Sequence, residues 1–476
     1  MRFLTLATLA LAAVTAGLHA QQPGIDALLR QIDAGHARSS EIARQIWGLA
    51  EVGYQETKSS ALLQEQLRAA GFRIETGVAG IPTAFVASWG SGKPVIGILG
   101  EYDALPGLSQ DSVPERKILL EGGSGHGCGH HLFGVASAAA AIAVKDWLQQ
   151  HGKGGTIRFY GTPAEEGGGA KVYMVRAGLF RDVDAVVAWH PSDANRVMRS
   201  TTLANISAKF RFRGVSAHAA IAPHQGRSAL DGVEAMNAMV NLLREHVPSE
   251  ARIHYVITAG GRAPNVVPDY AESYYYARHS DMRVLEGIWE RILATANGAA
   301  LGTGTKVEVE LMNSVYNVLP NQYLSDIAEQ ALQRVGGYRY SPEESAFAAS
   351  IRGTLTGAPA DSDRIAAAIL PADSGVSNGS TDVGDVSWVV PTVQVSTATW
   401  VPGTPAHTWQ AVAAGGMSIG MKGMNVAAKA MALTAVELFG NPAHLTKARA
   451  EQDQRLGGYQ YSSKVGDRDP PLDYRK

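Results

Sequence analysis

The only cysteine among 476 residues, Cys128, stands in the run Gly125-His126-Gly127-Cys128-Gly129-His130-His131. A thiol with imidazoles two positions away on either side can serve as a metal ligand or as an activated nucleophile. A lone cysteine more often packs as a small hydrophobe. Glycine at alternate positions argues for a site instead, because it strips the backbone of side chains where the chain must pass close to other groups. Four further segments offer polar side chains: Glu101-Tyr102-Asp103, Pro163-Ala164-Glu165-Glu166, Trp189-His190-Pro191 and Thr404-Pro405-Ala406-His407. Singly, an adjacent glutamate pair is usually a solvated helix face, and a histidine before proline a hydrogen-bonded core or loop residue. Jointly they bring sulfur, nitrogen and oxygen donors that suit Zn²⁺ or a similar divalent ion, in enough number for two ions sharing a bridge. Neighbouring glutamates tolerate joint burial only beside a cation. One can then bind metal while the other, unbound, takes a proton from water.

Each of these segments ends or follows an expected strand. Apolar runs at 83–89, 94–99, 156–160 and 185–189 read as strands, with helices at 132–150 and 169–177 between them, and an α/β sheet gathers such loops at one edge. Ahead of them, Ile25, Leu28, Leu29 and Ile32, then Ile42, Ile46 and Leu49, then Leu62, Leu63 and Leu67 recur at helical spacing, closed by Gly71. From about 204 to 317 the order becomes strand 206–213, helix 229–246, strands 253–258 and 271–278, helix 284–294 and strand 306–311, a β-α-β-β-α-β module. Helix 324–335, strand 392–396 and a last helix, 420–438, follow. The expected organisation is a discontinuous α/β domain, 21–203 and 318–476, with a smaller α+β domain, 204–317, inserted into it.

Residues 1–20 combine Arg2, an apolar run over 3–14 and small residues near Ala20. That is the pattern of a signal peptide, which predicts export to a periplasm or beyond. No later segment reaches the roughly 18 uninterrupted apolar residues of a membrane-spanning helix. A single cysteine forms no internal disulfide in an oxidising compartment, so stability must come from an ordinary core, which 45% hydrophobic residues can supply. Lys and Arg total 42 against 44 Asp and Glu, interspersed, for a net charge of −2. No nucleic-acid or membrane surface is expected from that balance.

The runs His126-Gly127-Cys128-Gly129-His130, Pro163-Ala164-Glu165-Glu166, Trp189-His190-Pro191 and Gly214-Val215-Ser216-Ala217-His218 resemble the M20 metallopeptidase family, in its amidohydrolase branch. Residues 99–110 and 465–474 are similar to the aminobenzoyl-glutamate hydrolases within that branch. The resemblance runs from about residue 25 to the C-terminus. It implies an M20-type α/β/α zinc-peptidase catalytic domain with a ferredoxin-like lid and dimerisation domain, in a homodimer. It also implies two divalent ions per subunit, Zn²⁺ or Mn²⁺, held by Cys128, His130, Glu166, His190 and His407, with Cys128 shared. Glu165 becomes the general base for hydrolysis of an N-acyl amino acid or small dipeptide by metal-activated water. His218 is implied to reach the neighbouring subunit's site and stabilise the oxyanion, and Asn265 and Arg278 to bind the substrate's carbonyl or carboxylate. The glycine- and serine-rich stretch 374–385 is expected to be a loop near substrate, with Ser380, Thr381 and Asp382 facing the pocket. One departure stands out: the family has Asp or Asn where this chain has His131, which either alters the hydrogen bonding of His130 or adds a competing ligand.

Two other readings compete. Cys128 could be a nucleophile activated by His126 or His130, but this leaves the glutamate pair and His407 without a use. A non-catalytic peptide-binding protein on the same fold would have lost Glu165 or several ligands, and this chain keeps them all.

Overall fold

The computed structural model describes residues 24–475, and the expected export signal lies outside them. Eleven strands are described: β1 (Arg73–Thr76), β2 (Phe85–Ser91), β3 (Val95–Gly100), β4 (Gly155–Gly161), β5 (Ala185–Ser192), β6 (Arg196–Met198), β7 (Ala204–Arg213), β8 (Arg252–Ala259), β9 (Tyr270–His279), β10 (Lys306–Val315) and β11 (Thr392–Ala398). They form two sheets.

The larger sheet runs β1-β2-β4-β3-β5-β11-β6. Its four central strands, β4, β3, β5 and β11, are mutually parallel, with antiparallel β1, β2 and β6 on the flanks. Parallel strands need cover on both faces, which is why their sequences read as unbroken apolar runs rather than alternations. Accordingly β3 and β11 are buried at every position. The helices His130–Gln150 and Ser418–Gly440 are apolar nearly all round, pack against each other and lie on the central strands. One hydrophobic cluster joins these elements and draws in residues from Ile25 to Val465.

The smaller sheet runs β10-β7-β9-β8 with every neighbour antiparallel, the order of a ferredoxin-like module. Helices Ala229–Leu243 and Met282–Thr303 cover it, capped by the side chains of Ser228 and Asp281. Phe210, Phe212, Met236, Tyr275 and Ile292 centre a second cluster, joined by Tyr316, Leu319 and Trp388.

Two expectations need correction and one helix was not foreseen. Helix 420–438 is not the last, because Ala443–Leu456 follows it. That helix buries only His444, Ala448 and Gln452, so its sequence carries no apolar stripe to read. Helix Pro342–Arg352 was also missed, although the reciprocal Ser341 and Glu344 capping box that starts it is written in the sequence. Stretch 374–385 is a loop only until Asp382, where a short helix, Val383–Ser387, begins.

Candidate metal centre and active site

The chemistry-bearing residues collect at the carboxyl edge of the parallel strands. Glu101 and Asp103 follow β3, Glu165 and Glu166 follow β4, His190 lies in β5, and His407 stands between β11 and helix Trp409–Gly416. Cys128 and His130 open helix His130–Gln150. Parallel strands point their C-terminal loops to one side, which gathers residues distant in sequence. Gly127 lets two of these loops touch, since a Cβ there would meet the Leu108 side chain at 2.6 Å and the His407 backbone at 3.2 Å. Ala164 and His407 hold left-handed φ angles of 54° and 61°. Such strain at non-glycine residues persists where surrounding structure over-determines it, commonly at functional sites.

Ligand atoms fall into sets of three within 4.8 Å of one another: Cys128, His130 and His190 in one, Cys128, Glu166 and His407 in a second. The thiol belongs to both. His190 Nε2 lies 3.5 Å from Cys128 Sγ, and His407 Nε2 lies 3.0 Å from Glu166 Oε1. The two inner imidazoles are turned for ligation by their other nitrogens. His190 Nδ1–H donates to the Pro191 carbonyl at 2.7 Å, and His130 Nδ1–H donates to Asp103 Oδ1 at 2.9 Å. Each bond leaves Nε2 as the lone-pair nitrogen. Asp103 also accepts the Glu166 backbone N–H at 2.9 Å, so one buried carboxylate orients two prospective ligands. His130 Nε2 and Glu166 Oε1 are buried and lie 3.1 Å from Glu101 Oε2 and 3.0 Å from His407 Nε2, but neither contact has the geometry of a hydrogen bond. Buried polar atoms are rarely left so unless an ion or water completes them. The residues therefore fit a pair of divalent cations.

A third set, Glu101, His130 and Glu165, lies alongside. The other oxygen of Glu101 is taken by Lys171 Nζ at 2.6 Å, and that ammonium also donates to Asp382 Oδ1 at 2.7 Å. All three side chains are buried, a cation closed between two anions. Sequence reading missed Lys171 altogether. Asp382 lines the cavity beside the two glutamates as expected, and its carboxylate is engaged by the Lys171 side chain and backbone N–H.

Electrostatics follow from burial. Desolvation, then the carboxylates of Glu101, Glu166 and Asp382, hold the Glu165 carboxyl well above the usual range. For His130, burial opposes charge, but Cys128, Asp103 and Glu101 outweigh it and the imidazole is pushed well up. Burial lowers His190 to about 4, helped by the neighbouring His130. Burial also raises the Cys128 thiol. A thiol in that state, with His126 turned away, is no ready nucleophile. His126 Nε2 lies 3.1 Å from the Ile46 carbonyl, and burial drops its basicity to about 4. His131 is not a competing ligand. Its Nε2 hydrogen-bonds the Gly415 carbonyl at 3.0 Å, its ring packs 4.8 Å from that of His126, and it makes no bond to His130.

Beside the two glutamates a cavity of about 540 Å³ opens between the two sheets, lined by Arg278 of β9 and by Ser380 and Thr381. Arg278 thus sits where the sequence expectation needs it. His218 and Asn265 do not: they are exposed on a pair of loops at the far end of the smaller sheet, joined through the Ala219 N–H to Asn265 carbonyl bond at 3.0 Å. They do not line the cavity.

Residues 97–408 match the peptidase family M20/M25/M40. The chain belongs to this family. Among M20 relatives, it is 45% identical to one of the p-aminobenzoyl-glutamate hydrolase subunits of Escherichia coli, over 89% of this chain and 93% of that one. It is 30% identical to the mouse Xaa-Arg dipeptidase over 88% and 90% of the two chains. Among solved structures, a dinuclear metal-binding M20 peptidase of Bacillus subtilis aligns with a TM-score of 0.59 at 19% identity, covering 86% of this chain and 99% of that one. An aminobenzoyl-glutamate utilization protein of Klebsiella pneumoniae aligns equally well, at 0.59 and 19%, over 87% and 98%. The fold is that of the M20 peptidases, and the protein is a hydrolase of that family.

Proposed function

We propose that the protein hydrolyses the amide bond between an acyl group and an amino acid, with an aminobenzoyl-glutamate-like compound as its substrate. The observation that carries this reading is the pair of donor sets sharing the Cys128 thiol beside Glu165. Cys128, His130 and His190 would hold one Zn²⁺ or Mn²⁺, and Cys128, Glu166 and His407 the other. When bound, such ions polarise an amide carbonyl and acidify water.

The chain's own residues do the rest. The raised proton affinity of Glu165 suits a base that takes a proton from the attacking water at its carboxylate oxygen. The water oxygen bonds to the carbonyl carbon, the C–N bond breaks, and Glu165 returns the proton to the leaving nitrogen. Arg278 holds the carboxylate of the departing amino acid with its planar guanidinium. His218 and Asn265 come from a second copy of the chain. The support is their exposure, with Val215, Ile221 and Val266 forming an apolar surround in which Ile221 is 78% exposed. Export to the periplasm, from the apolar N-terminal run, completes the reading.

The test is hydrolysis of N-(4-aminobenzoyl)-L-glutamate by purified protein. Chelation should abolish it and Mn²⁺ or Zn²⁺ restore it. Full activity in protein stripped of metal overturns the reading.

A further inference from the structure

The stretch after helix Ala443–Leu456 has no regular structure, yet it returns to the active site and is fastened there. Arg176 donates to the Gly466 and Arg468 carbonyls at 2.6 and 2.7 Å, and Gln55 Nε2 to the Leu472 carbonyl at 2.9 Å. Tyr474 packs edge-on against Tyr54, their centroids 5.6 Å apart, and a Cβ on Gly53 would collide with its hydroxyl. At its end the Tyr474 hydroxyl and Arg475 both donate to the backbone carbonyl of Glu166, at 3.0 and 2.7 Å. The tail is therefore bonded to a prospective metal ligand's own peptide unit.

This places Arg468 and Arg475 on the wall of the same cavity as Arg278. The carboxylates there do not neutralise them. Glu310 is paired with Arg211 and Asp382 with Lys171, Glu165 and Glu166 face the metal centre, and Asp473 is exposed. Two of the three guanidiniums carry a buried donor with nothing to bond: Arg278 Nε and Arg475 Nε. Each stacks on a tyrosine, Tyr276 at 5.4 Å and Tyr474 at 5.0 Å, which fixes the plane of the fork. Arg475 Nη2 bonds the Glu166 carbonyl and Arg468 Nη1 the Leu311 and Met312 carbonyls, but among the described residues none of the three guanidiniums pairs with a carboxylate. Oriented guanidiniums without a counter-charge on a cavity wall call for anions. One carboxylate satisfies Arg278. A second anionic group is needed for the tail.

We propose that the C-terminal tail is part of the substrate site and that Arg475, with Arg468 beside it, binds the side-chain carboxylate of an acidic leaving amino acid. This rests on the hydrolase reading above for the placement of the substrate. The same wall repels a cationic side chain, so dipeptides ending in arginine are poor substrates.

Binding separates this inference from the reaction. In Glu165→Gln protein loaded with Mn²⁺, calorimetry compares N-(4-aminobenzoyl)-L-glutamate with its γ-amide, the glutamine analogue, which differs only in the second charge. The parent should prefer the diacid by about tenfold or more, and adding Arg475→Ala should remove most of that preference while leaving the γ-amide's affinity within about twofold. Arg475→Lys, which keeps the charge and the tail's packing, should recover part of it. Equal affinity for the two ligands in the parent, or an equal loss for both in Arg475→Ala, overturns the assignment. If the unmutated enzyme hydrolyses neither compound while the diacid preference and its Arg475 dependence hold, the hydrolase reading falls and the tail's role stands.

Discussion

Asp103 touches neither prospective cation, yet it fixes both sets of donors, through the His130 ring and the Glu166 backbone. Partners of this kind set tautomer and orientation, and their loss typically weakens metal binding 10- to 100-fold. Asp103→Ala should therefore raise the free Mn²⁺ concentration at half-saturation by about that factor, read by metal titration. An unchanged titration would show that the His130 ring needs no such anchor. Glu165→Gln should behave in the opposite way, retaining metal while turnover falls by roughly 10²–10⁴-fold. Loss of metal in that variant, or near-normal turnover, removes Glu165 from the role of base. At this scale the sequence was legible for every residue whose neighbours advertise it: Cys128 among glycines, Glu165 beside Glu166, His190 before proline. It was silent on Lys171. A buried ammonium closed by Glu101 and by Asp382, 211 residues away, leaves no local pattern.

Glu272 on β9 ties three strands of the smaller sheet. It accepts from Thr258 of β8 at 2.7 Å, from Arg211 of β7 at 2.7 Å and from Tyr270 of its own strand at 3.0 Å, and Arg211 in turn reaches Glu310 of β10. Burial alone would raise its carboxyl, but these donors win and bring it from the ordinary 4.5 to about 2. The folded state thus binds the proton less readily than the unfolded chain, so the stabilisation is complete above pH 4.5 and fades as pH falls toward 2. Glu272→Gln should cost about 1 kcal/mol at pH 7, modest because the network borders solvent, and the gap in melting temperature should narrow progressively below pH 4.5. A gap that stays constant from pH 7 to pH 3 contradicts the charge-based account. The same sheet shows what periodicity can and cannot deliver. Burial alternates along parts of β7 and β9, and strands 206–213, 253–258 and 271–278 were read to within two residues of their bounds, while β10 runs four residues past its expected end. The parallel strands of the larger sheet were read from unbroken apolar runs. Helix Ala443–Leu456 was invisible because it packs through a histidine, an alanine and a glutamine. The short flanking strands β1 and β6 owe their conformation to the neighbours they pair with.

For the whole molecule, the distance between His218 and the metal centre becomes the organising fact. Among the described residues nothing brings this imidazole to the cavity, yet it is held in place, its Nδ1 accepting the Ala220 and Ile221 backbone N–H groups at 3.2 Å each. An exposed, oriented histidine ringed by Val215, Ile221 and Val266 resembles half of an interface. The nearby edge strand β8 leaves Val256 and Ile257 exposed as well, an edge that soluble proteins usually cover. A two-fold axis covers both features at once, because each copy presents the same surface to the other. Under the proposed symmetry, the His218 of one protomer would complete the site of its neighbour and stabilise the negative oxygen formed when water adds to the amide. Dimers of His218→Ala and dimers of Glu165→Gln should each be nearly inactive. Dissociated and reassembled together in equal amounts, half the dimers are mixed, and each mixed dimer contains one site with both Glu165 and a neighbour's His218, so about a quarter of wild-type activity should return. If the mixed dimers are demonstrated by tagged pull-down and activity stays at the level of the separate variants, His218 does not act across the interface.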